Sequence, residues 1–123
     1  MSTSTLRAIG TALLFVVIFV SGYWLSRSGK PYGTLVLTVH KLVAVGVFVF
    51  LVITMIRSGR ADGLEAAEGV AGGVTGMLFI SLIATGGLLS SDLEMPAVVS
   101  TLHKIAPYLT LLSTAGTLFF LHR

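Results

Sequence analysis

An all-α integral membrane protein, a four-helix bundle running up-down-up-down, is the fold class this sequence predicts. Three observations predict it. Apolar residues make up 54% of the 123-residue chain and charged residues only 11%, whereas a soluble domain carries about 25% charged residues. Four apolar stretches reach the length of about 20 residues that a membrane helix needs. The linkers between them are short, which makes neighbouring helices pack antiparallel. A small chain in water exposes a large share of its surface, and eight Lys/Arg with five Asp/Glu cannot clothe it. A soluble globular enzyme and a disordered chain are both excluded. The mean hydropathy of +0.97 agrees. There is no cysteine, so disulfides, thiolate metal sites, iron–sulfur clusters and cysteine catalysis are excluded as well. The net charge of +3 reports orientation and lipid contact, not nucleic acid binding. The lipid bilayer is the first partner expected.

The chain reads as a single transmembrane domain, residues 1–123, with helices over 8–25, 34–56, 69–89 and 97–121. The first span follows Arg7 and ends in the interface pair Tyr23-Trp24. Its apolar run is long for a signal peptide, so it reads as a retained helix. The second holds one His-Lys pair as its only strongly polar content. The third is rich in glycine, with GxxxG spacings at Gly69-Gly73 and Gly72-Gly76 that suit close helix packing. The fourth carries a second His-Lys pair and Pro107. In the linker between the second and third spans, Glu65 to Glu68 reads as the wet first turn of the third helix, where acids are favourable. Arg7, Arg57, Arg60 and Arg123 fall on the side of both termini, and Arg27 and Lys30 on the other. This bias places both termini in the cytoplasm.

LVLTVHKL, Leu35 to Leu42, aligns without a gap with VVSTLHKI, Val98 to Ile105. Thr38 matches Thr101, His40 matches His103, Lys41 matches Lys104, and further on Thr54 matches Thr117. The spacing is that of duplicated helical hairpins, although the first and third spans share little. Each His lies six residues inside its span, about 9 Å down at about 1.5 Å per residue. The second and fourth helices run in the same direction, so both imidazoles sit at one depth below the same face.

Ionisable side chains inside spans are costly and face the protein interior. Imidazole ligates iron, and haem iron has two axial positions. His40 and His103 are therefore the candidate metal ligands, holding one haem edge-on between the second and fourth helices. The His103 face continues through Pro107, Thr110, Thr114 and Thr117 as a polar seam that should point inward. Thr38, Thr101 and Gly46 are candidate residues shaping the cofactor site; small residues let a macrocycle approach the backbone. Lys41 and Lys104 are placed either to pair with haem propionates or to snorkel to the interface. Met55, Met77 and Met95 read as filling side chains.

The twin His-Lys helices and the closing segment HKIAPYLTLLSTAGTLFFL resemble bacterial four-helix membrane b-type cytochromes, distant relatives of the ascorbate- and quinol-linked membrane cytochromes with bis-histidine haems. The resemblance covers mainly Leu35 to Ile56 and Gly76 to Leu121. It implies haem b, one per chain, with axial ligation by His40 and His103. It also implies electron transfer to or from quinol or a docked redox partner, in a bacterial or archaeal cell membrane. Di-haem members need a second His pair near the other face. The only further histidine here is His122, so the resemblance supports one haem.

Two other classes compete. A small multidrug transporter has this length and four helices, but depends on a membrane-embedded carboxylate in its first helix. No acid lies inside any span here. A structural, assembly or pigment-binding subunit of a larger membrane complex needs nothing beyond four helices. A homodimer sharing haem between chains also stays open. No Ser/His/acid set or carboxylate pair suits hydrolysis, so any catalysis is redox chemistry carried by the cofactor.

Overall fold

A computed structural model of the chain describes residues 2–91 and 93–121. His122 and Arg123, which entered the reading of the second His pair and the orientation, lie outside the described residues, as does Asp92. The described residues are all-α, in four helices: α1 Thr3–Ser28, α2 Thr34–Asp62, α3 Ala66–Ser90 and α4 Ala97–Leu121. All four are long and apolar enough to cross a membrane, and the protein is a multi-pass membrane protein.

The fourth helix has the bounds the sequence predicts. The others run past the predicted spans, because hydropathy stops at the edge of the lipid and backbone hydrogen bonding does not. α1 begins at Ser2, whose Oγ accepts the Thr5 N–H at 3.2 Å. It continues to Ser28 and is stopped by Gly29 at φ +68, whose N–H bonds the Leu25 carbonyl. α2 carries on through Arg57 and Arg60 to Asp62 and gives way at Gly63, φ +73. A side chain at either glycine would oppose the left-handed turn. α3 starts one turn earlier than its apolar stretch. Glu65 is its N-cap and Glu68 the third residue of a capping box, with Glu68 Oε2 accepting the Glu65 N–H at 3.3 Å. The acids of that linker therefore have a structural use.

The chain divides into two compact units, residues 1–50 and 51–123. The first contains α1 and the N-terminal part of α2. Thr11, Phe15, Ser21 and Leu25 are buried on one stripe of α1, and Val47 is buried on α2. The second contains the rest of α2 with α3 and α4. Here Thr75 and Phe79 of α3 are buried, as are Thr110, Thr114, Thr117 and Leu118 of α4. The polar seam expected on α4 does point inward. Two of its hydroxyls are anchored: Thr110 Oγ1 donates to the Ala106 carbonyl at 2.8 Å and Thr117 Oγ1 to the Ser113 carbonyl at 2.9 Å, whereas Thr114 Oγ1 is buried with no hydrogen-bond partner. Across the α3–α4 hairpin, Thr75 Oγ1 meets Thr117 Oγ1 at 3.0 Å and also bonds Ser113 Oγ. Small residues with hydroxyls let the two helices approach and bond where lipid offers no hydrophobic drive. Of the GxxxG glycines, Gly72 packs against the Met55 side chain of α2, which bears out the filling role read for Met55.

The duplication extends further than the sequence reading allowed. Val47, Leu51 and Thr54 of α2 are buried at the positions that match Thr110, Thr114 and Thr117 of α4. The statement that the first and third spans share little is corrected. Thr11, Phe15, Ser21-Gly22 and Leu25-Ser26 recur in α3 as Thr75, Phe79, Thr85-Gly86 and Leu89-Ser90. The shared positions are spaced by helical turns among differing lipid-facing residues, so they do not form a contiguous match.

The Thr75 cluster gives a stability prediction. Thr75→Val should lower stability by about 1 kcal/mol, the worth of an interhelical hydrogen bond in a membrane protein. Ser81→Ala, at an exposed hydroxyl bonded back to the Met77 carbonyl, should cost only a few tenths. Reversible unfolding in mixed micelles measures both. Equal losses would remove the cluster's special standing.

Candidate functional site

His40 and His103 are each the seventh residue of their helices, as the predicted helix starts require. Both are half-buried. Within its own hairpin, each imidazole leans on the helix that precedes it. His40 Nδ1 lies 2.9 Å from Ser21 Oγ and 3.1 Å from the Ile18 carbonyl of α1. His103 Nδ1 lies 2.7 Å from Thr85 Oγ1 of α3. Both hydroxyls are themselves bonded one turn back along their own helices. Ser21 Oγ donates to the Val17 carbonyl at 2.7 Å. Thr85 Oγ1 donates to the Ser81 carbonyl at 2.8 Å. Each hairpin therefore carries the same chain of contacts: backbone carbonyl, hydroxyl, imidazole.

The residue after each hydroxyl is a glycine, and the imidazole edge lies against it. A Cβ built at Gly22 would be 3.1 Å from His40 Cε1, and one at Gly86 would be 3.1 Å from His103 Cε1. The two seats share the hydroxyl and the glycine, and His40 has the Ile18 carbonyl contact in addition. The hydroxyl and the histidine are 19 residues apart in the first hairpin and 18 in the second. The difference arises because α1 runs seven residues past Ser21 and α3 only five past Thr85, and the connection after α3 is longer by one residue.

The carbonyl of Ile18 can only accept, so the His40 Nδ1 carries the proton and donates it. At His40 the lone pair then falls on Nε2. At His103, Nδ1 lies against Thr85 Oγ1, a hydroxyl that also reaches the Ser81 carbonyl at 2.8 Å and the Leu82 carbonyl at 3.2 Å. Pro107 lies one turn beyond His103 and removes the N–H that an unbroken helix would bring to the His103 carbonyl. Among the described residues, no group of three or more His, Asp or Glu could hold a metal ion.

The remaining predicted site residues lie elsewhere on their helices. Thr38 and Thr101 are exposed. Two residues before a histidine is about 200° round the helix, so these threonines face away from the ring, and Ser21 and Thr85 supply the hydroxyls instead. Gly46 is also exposed, and a Cβ there would meet nothing within 4 Å. The glycines that allow close approach are Gly22 and Gly86. Lys41 and Lys104 are exposed beside their histidines. Met77 is exposed, and Met95 precedes α4. Ser21, Gly22, Thr85 and Gly86 went unrecognised in the sequence. Their signal was the repeated Ser/Thr-Gly pair followed by Leu-Ser, Ser21 to Ser26 and Thr85 to Ser90.

Gly22→Ala and Gly86→Ala should each destabilise the protein by about 1–2 kcal/mol through overpacking, and should shift the NMR signal of the facing imidazole. Gly46→Ala and Gly87→Ala, where a Cβ meets nothing within 4 Å, should be neutral or slightly stabilising. Tolerance of alanine at all four positions would refute the seat. Compared with protein-family models, curated proteins and solved structures, the chain matches none.

Proposed function

We propose that this protein is a membrane b-type cytochrome that binds one haem and transfers electrons to or from quinol or a docked redox partner. His40 and His103 would hold the haem, each through Nε2. The observation that carries this reading is the repeated imidazole seat: two membrane histidines at the same register, each with Nδ1 engaged and each packed against glycine. A histidine that ligates a metal nearly always has its other ring nitrogen bonded to a fixed acceptor. A porphyrin brings four equatorial nitrogens, so two protein imidazoles complete its coordination where no larger ligand cluster is needed.

Bound haem supplies the one-electron iron couple. The chain supplies orientation and environment. The hydroxyls of Ser21 and Thr85 hold the rings, and the apolar helices lower the dielectric around them. The Lys41 and Lys104 ammonium groups, one residue beyond each ligand, are placed to pair with propionate carboxylates. One haem near one face does not bridge a hydrocarbon core of about 30 Å. The partner therefore meets it within the bilayer or on the side away from the termini; the Lys/Arg bias puts the termini in the cytoplasm and that side outside it.

A reduced-minus-oxidised spectrum of the purified protein, with a pyridine assay for haem, tests this. One haem per chain with six-coordinate b-type bands, lost in both His40→Ala and His103→Ala, is expected. A protein that remains colourless after expression with added haem would overturn the assignment. Two tetrapyrroles per chain, one removed by each substitution, would favour a pigment-binding subunit.

A further inference from the structure

We infer that Ser21 and Thr85 are positioning residues: their hydroxyls lock both imidazoles as Nδ1–H tautomers before any ligand binds and, with haem in place, lower its reduction potential. The tautomer half stands on the seat geometry alone. The potential half rests on the haem reading above.

Three features on each side converge on the tautomer. The hydroxyl lies within 2.9 Å of Nδ1 at Ser21 and 2.7 Å at Thr85. Its proton is committed to a carbonyl of its own helix, that of Val17 or Ser81. The ring edge is held against Gly22 or Gly86, and a ring flip that put Cδ2 in the place of Nδ1 would break the bond. At His40 the Ile18 carbonyl, 3.1 Å from Nδ1, adds an acceptor that cannot donate. In a membrane interior a bond of this kind is not diluted by competing water. The rings are therefore organised in advance, with Nε2 as the coordinating atom at both seats.

The consequence for potential follows from the direction of polarisation. A hydrogen bond from Nδ1–H to a fixed oxygen draws the proton away from the ring and makes the imidazole a stronger donor at Nε2. A stronger axial donor favours ferric over ferrous iron and lowers the potential. The hydroxyl oxygen is the better acceptor because its own proton is given to a carbonyl, so the bonds polarise one another in sequence. Both histidines carry the hydroxyl contact, so each would have this effect on an iron it held.

The full chain, labelled with nitrogen-15 at histidine and prepared without haem in lipid nanodiscs, gives the first readout. The nitrogen shifts of His40 and His103 should report Nδ1–H in the wild type. Ser21→Ala and Thr85→Ala should each release the tautomer of the facing ring, and Ser21→Thr and Thr85→Ser should keep it. An Nε2–H tautomer in the wild type, or unchanged shifts in the alanine variants, would overturn the inference whether or not the protein binds haem. Redox titration of the haem-loaded protein gives the second. The alanine variants should titrate at a higher potential with six-coordinate spectra intact, and the hydroxyl-swapped variants should titrate close to wild type. Potentials unmoved by removal of either hydroxyl would overturn the potential half while leaving haem ligation standing. Failure to take up haem at all would instead count against the cytochrome reading and remove the potential half with it.

Discussion

A polar ring inside a membrane must have its hydrogen-bonding capacity met by protein, because lipid offers none. The bond between each imidazole Nδ1 and a hydroxyl on the preceding helix meets that constraint, and the rest of each hairpin follows from it. Ser21 is buried and Thr85 half-buried, and each hydroxyl also bonds a carbonyl of its own helix. The carbonyls of Val17 and Ser81 thus anchor a continuous line of polarity that ends at the ring. The glycine beside each hydroxyl lets the ring close the gap. The short connections between helices keep the two partners of each bond in one hairpin.

The two hairpins reach this arrangement with different surroundings. Behind His40 the buried positions of α2 are Val47, Leu51 and Thr54, two of them apolar. Behind His103 the matching positions are Thr110, Thr114 and Thr117, all with hydroxyls. The second hairpin therefore relies more on hydrogen bonds between and within its helices, as the contacts of Thr75 with Ser113 and Thr117 show. Pro107 stands where α2 has Ala44, and it loosens the backbone one turn from the ring on that side alone. The conserved elements of the duplication are the histidine, the hydroxyl, the glycine and the stripe of buried positions. The residues that differ most face away.

This division of labour suits a protein whose chemistry is carried by a bound group. The proposed haem asks of the chain two oriented lone pairs, a dry setting and cations for its carboxylates. His40 and His103 with their hydroxyls meet the first need, the apolar helices the second, and Lys41 and Lys104 the third. The acids at Glu65 and Glu68 cap α3, and Gly29 and Gly63 end their helices with left-handed turns.

Composition and segment length by themselves determined that the chain is all-α and crosses the membrane four times, because the cost of placing charge and open backbone in lipid leaves no other solution. The repeated His-Lys helices were legible for the same reason: an ionisable residue in an apolar stretch stands out against its neighbours. The inward seam of Thr110, Thr114 and Thr117 was legible from its helical spacing. The true ends of α1, α2 and α3 were not read from hydropathy, which reports where lipid stops and not where backbone hydrogen bonds stop. Only the tertiary structure decided which groups meet the imidazoles. Thr38, Thr101 and Gly46 were near in sequence, but a helix turns them away from the ring. Ser21-Gly22 and Thr85-Gly86 lie 18 or 19 residues upstream of the histidines, and only antiparallel packing within each hairpin brings them to Nδ1. A small hydroxyl followed by glycine is common in membrane helices, so the pair acquires meaning from the ring packed against it.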